Sequence, residues 1–567
     1  SGSLGRSRGS AMGCGASLPG SKSRNRLFRL VSTLEGEVSS LKYRLEEATI
    51  NSKRRRVNIC HFNDVYNLAP KQCKKAPCGG ASRFMAAVRK AREELDNPIV
   101  LFSGDFVGPS LASTVTKGQH IVEALDTVGV EFGCLGNHEF DYGVQNLERL
   151  LHGYTTRDGL IVAGSRATWI ATNMNGPDGE PIVGCKKYSI VKRGGVTIGI
   201  LGLAENWLQH CSKLEANYGT YLDIFETGEK MARHLRTLGC EVVLALTHSR
   251  LSTDQELTEK CPSIDLLLGG HDHFFKQDLR HRLIKSGQEW QYLSRISIEL
   301  DHEGKQTVKV EIDSIDPTDP MDEEMDGLID KIERHIQEKF GRVLGQAGVD
   351  LNSEEAHLRY KETALASFLM DCMFSHLDVA AKKFQHRGVD FCLIAGAGIA
   401  GKYNLPAGSP VTLGDIFRWV PRMVPFEACE FTGEQVLELL ELCVKGLAAA
   451  GDAECPTFPH VSDGVRFTLD PSKPIGARCS EVKICGELLD PRRTYVVGID
   501  DYIAGGNLMK GVEDFPRVVD DEMSLQLSDT VKAWFHEHSD VAEDDDDHHP
   551  IAELPIVKTP LGRISLA

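Results

Sequence analysis

The sequence predicts an α/β sandwich followed by a smaller α/β domain and preceded by a helical N-terminal arm. Three observations carry that reading. From residue 57 onward, short β-branched or Leu-rich runs alternate with amphipathic helical stretches, as in a layered α/β fold. Five of these runs lead into an oxygen or imidazole side chain, at Asp64, Asp105, Asn137, His248 and the pair His271 and His273. A turn-rich stretch, Asp316-Pro317-Thr318-Asp319-Pro320, divides the alternation in two.

At 567 residues the chain is too long for one ordinary domain. Its net charge is −17, yet residues 1–56 hold twelve Lys or Arg against four Glu, so the body is strongly acidic and nucleic acid is not an expected partner. Sixteen cysteines without a repeating spacing suit reduced, buried thiols better than a disulfide framework. Cys73 and Cys78 lack the second pair that a structural metal site needs. No run reaches the roughly eighteen apolar residues of a membrane span, and no charged-then-apolar leader is seen, so the expected location is cytoplasmic.

Taken in order, residues 1–26 read as a disordered leader. Within it Met12-Gly13-Cys14-Gly15-Ala16-Ser17 matches the N-myristoylation pattern, provided Met12 is the start, with Cys14 placed for a second acyl chain and Lys22, Arg24, Arg26 and Arg29 behind it. Two such signals hold a protein at an anionic leaflet, so on that condition the lipoprotein associates peripherally with the inner face of a membrane. Gly/Ser-rich disorder is the alternative. Leu27, Val31, Leu34, Val38, Leu41, Leu45 and Ala48 step by four and three. That is the seam of a short coiled coil through which residues 27–48 could form a homodimer, or one face of a single amphipathic helix over 27–52.

The first domain is expected over residues 57–318, with strands at 57–62, 99–102, 130–135, 196–203 and 241–246, helices at 81–95, 119–128 and 227–238, and a closing antiparallel pair at 290–300 and 306–315. A charged helix, 322–340, is expected as an exposed connector to a second domain over 341–537. Residues 538–567 read as an acidic tail, with four Asp at 544–547 beside His548 and His549. Gly396-x-Gly398-x-x-Gly401 imitates a dinucleotide fingerprint, but Lys402-Tyr403-Asn404-Leu405-Pro406 cannot begin the long helix that motif requires.

The polar ends of the strands define the chemistry. An amide, three imidazoles and two carboxylates form a mixed N/O donor set suited to Zn, Mn, Mg or Fe, and numerous enough for two divalent metal ions. Two ions about 3.5–4 Å apart acidify a shared water and clamp the attacking and leaving oxygens of a phosphoryl displacement. That reaction needs no Ser nucleophile, and from residue 57 onward neither Gly-x-Ser-x-Gly nor a phosphate-binding Gly-x4-Gly-Lys-Ser/Thr occurs. His138, with Asp141 three residues on to orient it, is placed to steady a leaving oxygen.

The set Asp64, Gly104-Asp105, Gly136-Asn137-His138-Glu139, His248 and Gly270-His271-Asp272-His273 resembles that of the calcineurin-like metallophosphoesterases. Gly136-Asn137-His138-Glu139-Phe140-Asp141 with a second domain of this size resembles the 5′-nucleotidase family, over residues 57–535. The resemblance implies hydrolysis of a small-molecule phosphomonoester, such as a nucleoside 5′-monophosphate, by a metal-bridging hydroxide, with the C-terminal domain binding substrate. It implies that Asp64 and His273 bind one metal, that Asp105 bridges, that Asn137, His248 and His271 bind the second, and that His138 and Asp141 form the catalytic dyad.

The departures from the family are informative. Tyr66 stands where the family usually has His. A phenol of pKa about 10 is a poor Zn ligand unless deprotonated, whereas a phenolate suits ferric iron. Tyr66 is then a ligand, or only a hydrogen-bonding group, or His61 reaches in. In the second domain the phosphate-binding Arg of the family pattern is missing from Ala395-Gly396-Ala397-Gly398-Ile399-Ala400, and its base-stacking Phe falls on Arg422. Arg422 and Tyr502 are the remaining candidates to stack a base. Two alternatives stay open: a phosphatase for a sugar phosphate or other non-nucleotide, and a membrane-tethered scaffold with weakened turnover.

Overall fold

The apolar runs of the first half become two sheets. The computed structural model describes residues 38, 42, 55–70, 77–156, 159–209, 218–385, 387–421, 424–447, 458–520, 523, 525–539, 555–559 and 561–566. In the first sheet β1 (Arg55–Phe62), β2 (Ile99–Phe102), β3 (Phe132–Cys134) and β4 (Thr168–Ile170) lie side by side and parallel. The second contains β5 (Ser189–Arg193), β6 (Val196–Ala204), β7 (Val242–His248), β8 (Leu266–Gly270), β9 (Phe275–Asp278) and β10 (Leu283–Ser286), in the order β9–β10–β8–β7–β6–β5. Its four central strands are parallel. Every residue of β7 and β8 is buried, which is why both read as unbroken apolar runs rather than as alternation.

Helices cover the sheets with their apolar stripes. α1 (Ala81–Glu94) buries Phe84, Val88 and Ala91, and Phe84 packs 4.7 Å from Phe62 of β1, ring centre to ring centre. α2 (Ile224–Thr237) places Met231 and Leu235 in one cluster with Leu201, Val243 and Leu267. The closing strands β11 (Tyr292–Leu300) and β12 (Gln306–Ser314) are neighbours in the first sheet, as the alternation predicted.

The connector differs from expectation. α3 (Glu323–Phe340) is not an exposed rod: Met325 and Ile332 are buried, and Leu328, Ile329 and Ile336 pack on the first-domain core. These residues recur at three- and four-residue spacing, and that stripe outweighs the charge on the other faces.

In the second domain β13 (Val343–Ala347) precedes α4 (Ala364–Gln385), whose composition would let it cross a membrane. Its Leu365, Leu369, Met373 and Leu377 are instead fully buried in the domain core. β14 (Phe391–Ala395), β15 (Pro425–Thr432), β16 (Val465–Leu469) and β17 (Thr494–Asp500) follow, with β14 parallel and β15 antiparallel to β17. A short turn and not a long helix follows β14, consistent with rejecting a dinucleotide motif there.

The end of the chain also departs from the acidic-tail reading. After α5 (Leu527–Glu537), β18 (Ile556–Val557) pairs with β13 and β19 (Ile564–Leu566) pairs with β16. Arg563 between them is buried, with its guanidinium on Asp371 at 2.6 and 2.9 Å. Residues 555–559 and 561–566 therefore belong to the second domain.

Residues 57–297 and 308–567 form one compact unit holding both domains; residues 1–56 with 298–307 form another. Of the N-terminal arm only Val38 and Lys42 are described, both helical. The acylation motif, the rest of the apolar seam, Cys73, Arg422 and the Asp run at 544–547 lie outside the described residues. The twelve described cysteines are free thiols, all buried but Cys485.

Candidate metal centre

The five ligand-bearing ends converge because the strands that carry them are parallel. Asp64, Asp105 and Asn137 lie just beyond β1, β2 and β3, His248 ends β7 and His271 follows β8. This is the carboxyl edge, where open α/β sheets bind ligands. Four of the candidates, Asp64, Asp105, His271 and His273, have left-handed backbones, with φ of 54°, 65°, 83° and 61°. Side chains with a Cβ disfavour that region, so the surrounding structure imposes it. Asp64 N donates to Gly104 O at 3.1 Å, and His271 N donates to Asp64 Oδ2 at 3.0 Å. Two glycines admit the approach. A Cβ at Gly136 would collide with Asp105 Oδ1 and sit 2.7 Å from His248, and one at Gly270 would collide with Ser103 O.

Two clusters result. Ligand atoms of Asp105, His248 and His271 lie within 4.8 Å of one another, as do those of Asp64, Asp105 and His273. Asp105 belongs to both, the position of a carboxylate bridging two ions. Asp64, Asp105 and His248 are fully buried, whereas the His273 side chain is 42% exposed and opens the site to solvent. His248 Nδ1 donates to Ser103 O at 2.8 Å, which turns Nε2 toward Asp105 Oδ2 at 3.1 Å. A second hydrogen bond of this kind fixes the tautomer of a metal-binding imidazole. Buried Asn137 adjoins this cluster through the next residue, since His138 N donates to Asp105 Oδ1 at 3.0 Å.

The electrostatics suit a cation. Burial opposes ionisation of Asp64 and Asp105, yet the histidines around them hold both carboxyls below the usual range. Burial likewise disfavours charge on His248, but Asp105 and Asp64 lift it to about 9. Carboxylates that bind a proton on His248 this firmly would bind a divalent cation in its place, with release of the proton. The donor chemistry therefore fits the ions expected from the sequence.

Tyr66 is fully inside this centre. Its hydroxyl lies 2.9 Å from His273 Nε2, 3.1 Å from Asp105 Oδ2 and 3.2 Å from Asp64 Oδ1. Burial first, then Asp105 and Asp64, keep the phenol protonated well above its ordinary value. His61 does not reach in. Its ring nitrogens meet Ser286 Oγ at 2.8 Å and Ser103 Oγ at 2.9 Å, and burial pushes it down to about 3.

His138 and Asp141 meet as expected, Nδ1 to Oδ2 at 3.0 Å across one 3₁₀ turn. Burial disfavours the imidazolium, but Asp141 and Asp105 together raise His138 to about 10, so it is cationic at neutral pH.

Three supporting residues were not assigned roles from sequence. Glu139 is buried and accepts from the backbone N–H groups of Asp105 at 3.1 Å, Phe106 at 2.7 Å and Gly136. Glu289 accepts from Asn67 Nδ2 at 2.8 Å and Asn67 N at 3.1 Å, while its own N donates to Asp64 O at 2.7 Å. Lys285 lies behind His248 and His271 with 1% exposure. Its only sequence signal is a lysine directly after two apolar strand residues, Leu283 and Ile284. In the second domain Tyr502 is half-exposed on the short helix Asp501–Ala504, and no described contact joins it to the metal cluster.

Known proteins share this organisation. Residues 57–275 match the calcineurin-like phosphoesterase family and residues 343–513 match the 5′-nucleotidase C-terminal domain. The chain is 24% identical over 491 residues to the trifunctional nucleotide phosphoesterase YfkN of Bacillus subtilis, covering 79% of this chain but only 32% of that protein. It is 22% identical to the snake venom 5′-nucleotidase of Gloydius brevicauda, covering 80% of this chain and 82% of that one. Among solved structures, the NAD nucleotidase of Haemophilus influenzae superposes with a TM-score of 0.69 at 17% identity, over 91% of this chain and 100% of the other. The 5′-nucleotidase precursor of Thermus thermophilus gives 0.50 at 21% identity, over 90% and 99%. These superpositions establish the fold alone. With both halves matched in the same order, the chain belongs to the 5′-nucleotidase family, hydrolases of phosphoric esters built from a calcineurin-like metallophosphoesterase domain and a 5′-nucleotidase C-terminal domain.

Proposed function

We propose that the protein is a dinuclear metal-dependent phosphomonoesterase acting on a nucleoside 5′-monophosphate or a related phosphate ester. The observation that carries this reading is Asp105, one buried carboxylate shared by two three-residue ligand clusters. Asp64, Asp105 and His273, with Tyr66 beside them, would hold one ion; Asp105, Asn137, His248 and His271 would hold the other. Zn, Mn or Mg suits the donor set, with Fe an option on the Tyr66 side. Bound there, two such cations neutralise phosphoryl oxygens and acidify water. His138 uses Nδ1 on Asp141, leaving Nε2 as the nitrogen that donates to the ester oxygen as it leaves. Asp141 keeps that imidazole cationic and oriented. Phosphate oxygens would approach through the side left open at His273.

A second reading of the substrate is a sugar phosphate or other non-nucleotide ester. It is favoured by the glycine and alanine turn at Gly396–Gly398, which offers no cationic side chain to a phosphate. Arg422 and Tyr502 are the proposed stacking residues if the substrate carries a base. The N-terminal arm adds a separate proposal: with Met12 as the start, acylation at Gly13 and Cys14 holds the enzyme at the cytoplasmic face of a membrane, and 27–48 pairs with a second copy. Mass spectrometry of the N-terminal peptide and membrane fractionation of Gly13→Ala test it.

The deciding experiment combines metal content with phosphate release from AMP, UMP, a sugar phosphate and an aryl phosphate, in wild type and Asn137→Ala. About two ions per chain, with release abolished in the variant, supports the hydrolase, and the preferred substrate separates the two readings. No release after addition of Mn, Zn or Fe sinks both and favours a scaffold.

A further inference from the structure

One buried ammonium joins the two loops that present His248 and His271. Lys285 Nζ on β10 lies 2.7 Å from Ser249 O, 2.6 Å from Gly270 O, 2.7 Å from Asp254 Oδ2 and 2.5 Å from Asp272 Oδ2. Ser249 follows His248, while Gly270 and Asp272 flank His271. The two carboxylates brace the same loops. Asp254 Oδ1 accepts from Ser249 Oγ at 2.6 Å, and Asp272 Oδ1 accepts from Leu251 N at 3.2 Å. Strand register sets Lys285 directly beside Gly269 of β8, so its side chain starts one residue before Gly270.

Packing alone does not call for a cation here. Leu283 and Ile284 precede Lys285 in a strand buried at every residue, and an aliphatic side chain would fill the same space without desolvating a charge. What an aliphatic residue lacks is a donor for two backbone carbonyls on two different strand ends. We propose that Lys285 is a positioning residue for the metal centre: by holding Ser249 O and Gly270 O on one nitrogen atom, it fixes the separation of His248 and His271 so that both meet the same divalent cation without reorganisation.

The geometry around the pair agrees. The two imidazole rings stand 5.3 Å apart at 74°, and their ligand atoms already cluster with Asp105 within 4.8 Å. Lys285 with Asp254 and Asp272 carries a net negative charge, so the ammonium adds rigidity without making the neighbourhood repel a cation. Partners behind the ligands of a metal site affect its affinity about 10- to 100-fold. The inference rests on the metal reading of the site.

The test uses the full chain, stripped of metal and titrated with Co²⁺, with bound ion measured by equilibrium dialysis and coordination read from visible absorption. Wild-type stoichiometry tests the metal reading by itself, and wild type that binds no ion overturns both. Lys285→Met combined with Asp254→Asn removes a buried carboxylate together with the ammonium and limits the charge left unpaired. Its expected result is one ion bound about 10- to 100-fold more weakly with an altered Co²⁺ spectrum, the other ion keeping its affinity. A double variant with wild-type circular dichroism, both affinities and the wild-type spectrum overturns the role of Lys285 while leaving the metal reading intact. If the double variant does not fold, hydrogen exchange on wild type decides. Backbone amides at 249–251 and 270–273 that stay protected after metal removal support the clamp, and their collapse to unprotected rates on stripping overturns it.

Discussion

The Tyr66 hydroxyl lies 2.9 Å from His273 Nε2 and 3.1 Å from Asp105 Oδ2, so a phenol occupies the heart of the cluster formed by Asp64, Asp105 and His273. It is held protonated by burial and by the two carboxylates, and a neutral phenol donates a hydrogen bond where an imidazole would donate a lone pair. Tyr66→His should therefore tighten Zn binding at the Asp64 and His273 side by about tenfold or more, leaving the His248 and His271 side unchanged. Competition titration with a chromophoric chelator measures both sites. Equal affinities in wild type and variant would show that Tyr66 already ligates as a phenolate.

His138 sits 3.0 Å from Asp141, and this contact predicts a pH dependence. The folded value of about 10 lies above the ordinary imidazole value, so the charge and its contribution to stability are complete below the unfolded pKa of about 6.5. Both are lost as pH rises through the folded value. In Asp141→Asn the largest favourable charge is gone, and an opposite charge at this range is worth about one to three pKa units. The alkaline limb of kcat/KM should move toward neutrality by that amount in the variant. His138→Gln should lower kcat about 10²-fold or more and abolish the limb.

The site was legible in the sequence where chemistry coincides with strand ends. Asp64, Asp105, His248 and His271 each close an apolar run, and β7 and β8 announce themselves by having no polar residue before the ligand except the Thr247 hydroxyl. What could not be read is the support behind the ligands. Lys285, Glu139 and Glu289 act mostly through backbone N–H and carbonyl groups of segments far away in sequence, and such contacts leave no periodicity. The second-domain ends were missed for a related reason. β18 and β19 are two and three residues long, too short to alternate, and exist only because β13 and β16 offer them edges. The stripe of α3, Met325 to Ile336, was present in the sequence at helical spacing but was masked by the surrounding charges.

Glu139 offers a stability prediction that is independent of metal chemistry. Its carboxyl group accepts three backbone N–H groups, those of Asp105, Phe106 and Gly136, and so fixes the turns that carry Asp105 and Asn137. Glu139→Gln turns an NH₂ group toward at least one of those donors. A buried donor left without an acceptor costs about 1–3 kcal/mol. Chemical denaturation of the metal-free protein should show a loss of that size, and the loaded protein should show weakened metal retention as well. An unchanged midpoint would mean that the turns are held by other contacts.

Arg563 tests whether the chain's end is part of the second domain's fold. Its guanidinium is buried, donates to Asp371 Oδ1 at 2.9 Å and Oδ2 at 2.6 Å, and reaches Val461 O at 2.7 Å. Asp371 lies on α4 and Val461 in the strand beside β14, so this side chain ties β19 to the domain's central helix and sheet. Removing one partner of a buried ion pair costs about 3–5 kcal/mol, and the partial exposure of Asp371 puts the expectation at the lower end. Arg563→Met keeps the length of the side chain and loses the charge. It should free residues 561–566 for cleavage under limited proteolysis and lower the midpoint of the second domain, while metal stoichiometry stays at the wild-type value because no proposed ligand lies in that domain. If residues 561–566 remain protected in the variant, pairing of β19 with β16 suffices to hold the end of the chain, and Arg563 merely occupies a space the fold had already closed.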